Sequence, residues 1–405
     1  MSNFLSGVRV LDLSRILAGP WATQNLADLG ADVIKIERPG TGDDTRQMGP
    51  PFMRGSDGEL GDAAYFMCCN RGKKSLTLDF TQKEGQALLH ELVETTDIVV
   101  ENYKVGGLDK YNLDYGSLSK IKPDLIYCSV TGFGHFGPYS KRAGYDYLIQ
   151  AMSGLMSITG EADEVVGGGP QKVGLAVSDL FSGMYATVAI LAALRHRDHG
   201  GGGQHIDISL LDCQVGTLAN QALNYLATGI PPKRLGTSHP NIAPYQAYRA
   251  KDGYLVVAIG NDAQFLRFCK AVNQIEVASD PRFISIRDRV KNRGDLEKWM
   301  CALMLSRDVE NWVTLLADAQ VPCGPINNLE QVFDDPHVRA RGMQIELLHE
   351  KYGHVPNVRN PMIFSGKPLD AGIAPPLLGQ HTNMILHDLG LDEAAIKELR
   401  LNNVV

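Results

Sequence analysis

Several large protein classes are excluded by what this sequence lacks. Its seven cysteines (Cys68, Cys69, Cys128, Cys213, Cys269, Cys301 and Cys323) are odd in number and include no C-x-x-C pair. That argues against a disulfide framework, and their apolar surroundings suit free thiols in a reducing compartment. Basic residues are in deficit, with 39 Lys and Arg against 46 Asp and Glu and a formal net charge of -7. A nucleic-acid or anionic membrane-surface partner normally leaves basic runs, so neither is expected. No apolar run reaches the roughly eighteen residues of a membrane span. The opening Met1-Ser2-Asn3-Phe4-Leu5 lacks a basic stretch followed by an apolar one, so we expect no signal peptide and a cytoplasmic location. There is no internal repeat or low-complexity tract, and no metal site is expected.

What is present is ordinary globular material: 405 residues, 44% hydrophobic and 21% charged, enough for two or three domains. Residues 8–13, Val-Arg-Val-Leu-Asp-Leu, form a strand pattern. Gly19-Pro20 then opens a helical stretch that Gly30 ends, and Val33-Ile34-Lys35-Ile36 is a second strand. The strand–helix–strand pattern continues through strands at 75–79, 98–100 and 125–130. A T-x-x-E capping box at Thr81 and Glu84 precedes the stripe Leu88, Leu89, Leu92 and Val93. Residues 147–157 and 180–195 are helical and mostly apolar. Strand 205–209 and a helix from Leu210 to about Ala227 follow. After Pro231-Pro232 the style changes, with a hairpin signal at Lys251-Asp252-Gly253. The expected fold is α/β: 1–225 as the N-terminal part of a large Rossmann-like domain, 226–330 as a smaller α+β domain with linkers, and 331–405 returning to the large domain.

The first strand–helix turn, Ser14-Arg15-Ile16-Leu17-Ala18-Gly19-Pro20, contains no G-x-G-x-x-G. That demotes a nicotinamide dehydrogenase, although Glu37 stands where such folds place a ribose-binding acid. Arg38 follows it. A guanidinium there could hold a ribose phosphate bidentately, as coenzyme A would require, or could simply pair with Glu37 or Asp43 at the surface. Arg71, Lys73 and Lys74 before the third strand, and Lys104 and Lys110 after the fourth, lie near strand ends where open α/β sheets bind ligands. They could equally be solvated turn residues.

Leu17-Ala18-Gly19-Pro20, Gly30 through Gly40, Val100-Glu101-Asn102-Tyr103, Gly132-Phe133-Gly134 with Gly137-Pro138-Tyr139, and Pro376 through Thr382 occur in this order. Together they resemble family III CoA-transferases. The segment Val177-Ser178-Asp179-Leu180-Phe181-Ser182-Gly183 completes the resemblance, which implies that Asp179 is a covalent nucleophile. It also implies that Ala18 and Asn102 belong to the CoA site with Arg38, Lys73, Lys74 and Lys110. From the residues alone, Ser178 and Asp179 are good N-caps for the following helix; a carboxylate there stays ionised beside the positive end of the helix dipole. The family implies an interlocked homodimer. It also implies acyl-CoA esters and carboxylic acids as substrates, with no permanently bound cofactor.

The family includes racemases, in which a G-H-D histidine acts as acid or base. Here Gly144-Tyr145-Asp146 stands at that place, and a phenol is a poor base near pH 7. Transfer is therefore favoured over racemisation, with an inactive acyl-CoA-binding protein as a further alternative. Gly42-Asp43-Asp44-Thr45-Arg46, Arg234 through His239 and Cys323-Gly324-Pro325 resemble the branch acting on dicarboxylates, such as succinate–hydroxymethylglutarate and itaconate CoA-transferases. The expected reaction moves CoA from an acyl-CoA such as succinyl-CoA to a C4–C6 dicarboxylate. Arg46, Arg234 and His239 are candidate partners for the distal carboxylate, and Tyr145 for the acyl pocket.

Overall fold

The computed structural model describes residues 4–55, 58–369 and 372–405. The chain divides into two compact units: Met1–Ser153, Gly174–Thr217 and Pro336–Val405 form the first, and Gly154–Val173 with Leu218–Asp335 the second. The sequence boundaries differ in one respect of substance. Gly154–Val173 and the stretch just before residue 226 belong to the second unit, not to the large domain.

The first unit is built on six parallel strands, β1 (Arg9–Asp12), β2 (Asp32–Glu37), β3 (Lys73–Thr77), β4 (Ile98–Glu101), β5 (Ile126–Thr131) and β6 (Gln204–Ser209), in the order β3-β2-β1-β4-β5-β6. Both faces are covered, so alternate side chains of each strand enter two different cores. Val10, Val33, Ile98, Val100 and Ile126 pack with α1 (Ala18–Asp28) and α5 (Val177–Asp198). Leu11, Ile34, Ile36 and Val99 pack with α2 (Lys83–Glu94), α3 (Tyr115–Ile121) and the C-terminal helices Thr382–Asp388 and Glu393–Leu401. The C-terminal return is anchored on β3. Ser75 N donates to His381 Nδ1 (3.2 Å), His381 N to Ser75 O (3.0 Å), and the Thr77 and Thr382 hydroxyls lie 2.9 Å apart.

Several local details depart from expectation. Gln82, not Thr81, is the N-cap of α2, and no capping box forms there, because Asp79 takes both the Thr81 N–H and its hydroxyl. The helix expected at 147–157 is split into α4 (Asp146–Met152) and Leu155–Ile158 by Gly154 at φ 91°. The helix after β6 likewise divides into Leu210–Gly216 and Ala219–Thr228. In the second unit β7 (Tyr245–Arg249), β8 (Tyr254–Ala258) and β9 (Cys323–Pro325) form an antiparallel sheet in the order β9-β8-β7. It closes over a core of Phe265, Phe268, Leu296, Met300 and Trp312.

Candidate active site

The strand order of the first unit reverses between β1 and β4, the place where open α/β sheets bind ligands beyond their strand ends. The turn leaving β1 is held from below by buried charges. Asp12 accepts from Ser14 N (3.0 Å), Thr23 Oγ1 (2.6 Å) and Lys73 Nζ (2.9 Å). Lys35 Nζ donates to Ser14 O (2.8 Å) and pairs with Asp43 (2.8 Å), whose two oxygens each accept from Ile16 N (3.3 Å). Asn102, just past β4, accepts from Arg15 N (2.9 Å) and donates to Arg15 O (2.7 Å), which ties the two strand-end loops together. Within this brace Ile16 is held at φ 70°. For a β-branched residue that conformation costs on the order of 1–3 kcal/mol, and such strain concentrates at functional sites.

Two neighbouring cavities open there, sharing Arg15, Tyr103 and Gly107 in their walls. One, of about 260 Å³, is lined by Arg38, Asp79, Phe80, Lys110 and Tyr111 among others. The other, of about 420 Å³, is lined by Ile16, Ala18, Asn102, Tyr145, Asp146 and Asp179 among others.

Asp179 is in the first turn of α5 but does not cap it. The N-cap is Ala176, and the carboxylate serving the helix end is that of Asp146. Its Oδ1 accepts from Ser178 N (2.8 Å) and, more weakly, from Asp179 N (3.4 Å). Ser178 is also no cap; its hydroxyl donates to Gln214 (2.8 Å). With the end amides already served, burial pushes the Asp179 carboxyl up to about 7, and the Asp146 charge adds to the rise. The expectation of a carboxylate kept ionised by the helix dipole is therefore corrected: near neutrality both protonation states are populated. Tyr65, unmarked in the sequence, feels the same carboxylate; burial first and Asp179 second push its phenol up to about 12.

The remaining sequence candidates separate clearly. Arg38 is exposed and lines the smaller cavity; among the described residues it pairs with neither Glu37 nor Asp43. Lys110 lines the same cavity with its ammonium 4.6 Å from the Tyr111 ring centre. Lys73 cannot be a CoA ligand: it is fully buried in the ion pair with Asp12 and also donates to Pro20 O and Asn70 Oδ1. Arg71 is buried too, held by Asp28 and Val358 O. Lys74 pairs with Asp32 (2.6 Å) and lines neither cavity. Glu37 is not a ribose ligand, and Arg46 is not a free cation, because they bind each other inside the fold (2.7 Å), with Asp62 as a second partner for Arg46 (3.0 Å). Tyr145 is no core aromatic, being 69% exposed at the cavity. Arg234 and His239 lie in the second unit. There Arg234 pairs with Asp163, and His239 accepts from Asn241 N (3.1 Å). Arg142, which sequence reasoning passed over, lines the larger cavity.

A cavity that presents Arg38 and Lys110, next to one that holds the Asp179 carboxyl at a sheet switch point, suits a ligand with a phosphate at one end and a reactive group at the other. Residues 5–382 match CoA-transferase family III. The chain is 49% identical over 385 residues to a succinate–glutarate CoA-transferase of Agrobacterium fabrum, covering 95% of each. It is 44% identical over 403 residues to a succinyl-CoA:glutarate CoA-transferase of Mus musculus, covering 99% of this chain and 90% of that one. A crystal structure of a CaiB/BaiF family protein from Brucella suis superposes with a TM-score of 0.84 at 49% identity, over 96% of this chain and 100% of that one. The chain belongs to CoA-transferase family III and is a CoA-transferase.

Proposed function

We propose that the protein moves CoA from succinyl-CoA to a C4–C6 dicarboxylate, with glutarate as the first acceptor to test, and that Asp179 is its covalent nucleophile. The observation that carries this is the position of Asp179 in the larger cavity, whose neighbour presents Arg38 and Lys110 for the CoA phosphates. The Asp179 carboxylate attacks the thioester carbonyl, giving a mixed anhydride and CoA thiolate. The thiolate then attacks the aspartyl carbonyl, giving an aspartyl-CoA thioester and the free donor acid. The acceptor carboxylate attacks that thioester and again releases thiolate, which attacks the acceptor carbonyl of the new anhydride and frees Asp179. Burial makes the carboxylate more basic than an exposed one, and so a better nucleophile once ionised. The CoA esters are substrates, with no resident cofactor. The working form is a cytoplasmic homodimer, and Tyr145 in place of a histidine speaks against racemisation.

The test is an acceptor screen with succinyl-CoA as donor, read by mass spectrometry of the CoA esters formed, on wild type and Asp179→Asn. Glutaryl-CoA should form with the wild type. The variant should lose transfer by several orders of magnitude, because an amide cannot form the anhydride. Its stability should hold or rise at pH 8. A carboxyl whose folded pKa lies above its unfolded one costs stability once pH exceeds both, and Asn removes that cost. The wild-type peptide containing Asp179 should carry a hydroxylamine-sensitive adduct after incubation with succinyl-CoA alone. A stable variant that still transfers CoA would sink the nucleophile assignment, and preference for a monocarboxylate acceptor would sink the substrate class.

A further inference from the structure

We infer that Arg142 receives the distal carboxylate of the dicarboxylic acyl group, and so selects the acids exchanged. This rests on the transfer reading above and adds a residue that no sequence motif marked. A dicarboxylic acyl group keeps one free carboxylate and so brings a further negative charge into a cavity that already holds Asp146 and Asp179, so it needs a cation within reach. Most cations are engaged. Arg46 is neutralised by Glu37 and Asp62, Arg15 pairs with Asp44 (2.8 Å), and Arg234 pairs with Asp163. Among the described residues, the larger cavity is left with two cations without a carboxylate partner, Arg142 and Lys104.

Placement and chemistry divide the work between them. Lys104 comes from the same turn as Tyr103 and Gly107, which border the cavity of Arg38 and Lys110. Lys104 itself does not line that cavity; besides the larger one it lines a third, with Glu101 and His135, that does not contain Asp179. Arg142 comes from the stretch that leads through Gly144 and Tyr145 to Asp146, beside the nucleophile. That stretch is fixed by backbone contact with the loop after β5: a Cβ on Gly144 would stand 2.6 Å from Gly132 Cα. The guanidinium lies over two rings, 4.6 Å from the Tyr139 centre and 5.5 Å from that of Phe133. Cation–π contact orders it before any acid arrives. A guanidinium so ordered can grip a carboxylate with two parallel N–H bonds. Because donor and acceptor acids occupy the acyl site in turn, one arginine serves both.

The test compares glutaryl-CoA with butyryl-CoA, which lacks the distal carboxylate. Each is titrated calorimetrically into Asp179→Asn protein, in which no transfer occurs, with and without Arg142→Gln or Arg142→Lys. Arg142→Gln should weaken glutaryl-CoA by about 10- to 100-fold, the range of a lost charged hydrogen-bond pair, and leave butyryl-CoA unchanged. Arg142→Lys should restore part of the loss. In the active enzyme, Arg142→Gln should raise the KM for glutarate far more than it lowers the turnover rate. Equal weakening of both esters would place Arg142 on the CoA moiety and overturn the assignment, as would no weakening of either. Failure of both esters to bind even with Arg142 intact would overturn the transfer reading itself.

Discussion

Asp146 acts on Asp179 in two ways at once. Its oxygen occupies the free amides at the start of α5, so the helix end offers Asp179 little stabilisation. Its charge then adds to the larger effect of burial, and together they bring Asp179 to about 7. Only the ionised form attacks a thioester, so kcat/KM for the first half-reaction should rise with pH through a midpoint near 7. Asp146→Asn keeps an oxygen for the Ser178 N–H but removes the charge. The midpoint should then move to lower pH without reaching the usual carboxylate range, since burial remains. Measured pH profiles that coincide for wild type and Asp146→Asn would refute this electrostatic coupling. Sequence alone could not supply this relation. Gly144-Tyr145-Asp146 and Ser178-Asp179 were both visible as motifs, but their contact spans more than thirty residues, and Asp179 read as the cap that Asp146 in fact provides.

At the scale of elements, the sheet was legible and its buried charges were not. Alternation in Val10-Leu11 and Val33-Ile34-Lys35-Ile36 marks strands, and the crossover spacing marks them as parallel. Yet the same alternation makes Lys35 look solvent-facing, although a doubly covered parallel sheet has no solvent face. Lys73 and Arg46 misled in the same way, since a basic residue near a strand end reads as a ligand for anions until its internal partner is known. These charges support the turn that carries Ile16. Lys35→Met would leave Asp43 buried without its counter-charge, which should cost about 3–5 kcal/mol of folding stability, measurable by urea denaturation. The double variant Lys35→Met with Asp43→Asn should recover much of that loss by removing the orphaned charge. A single variant as stable as wild type would show that the pair is not what holds the turn.

At the scale of the whole molecule, α5 raises a question that one chain does not answer. The helix is long and apolar enough to cross a membrane by length and composition alone. One side of it buries Ala186, Ile190, Ala193 and Leu194 in the core shared with α1 and the sheet. The other side leaves Phe181, Met184, Tyr185 and Val188 between 41% and 60% exposed. Their spacing of three, four and seven residues makes one continuous apolar stripe, and such stripes mark a protein or membrane partner. Packing into the sheet core argues against a lipid span, and the net charge of -7 against an anionic membrane surface. We propose a second copy of the chain as the partner, in keeping with the interlocked dimer the family resemblance implies. Light scattering in detergent-free buffer should therefore give about twice the 44.2 kDa chain mass. If the chains are linked through one another, that mass should persist on dilution, when an ordinary contact would separate. Val188→Glu places a charge in the middle of the stripe, and after refolding it should give monomer or aggregate in place of dimer. A monodisperse wild-type monomer would remove the dimer, and a dimer unaffected by Val188→Glu would move its interface away from α5.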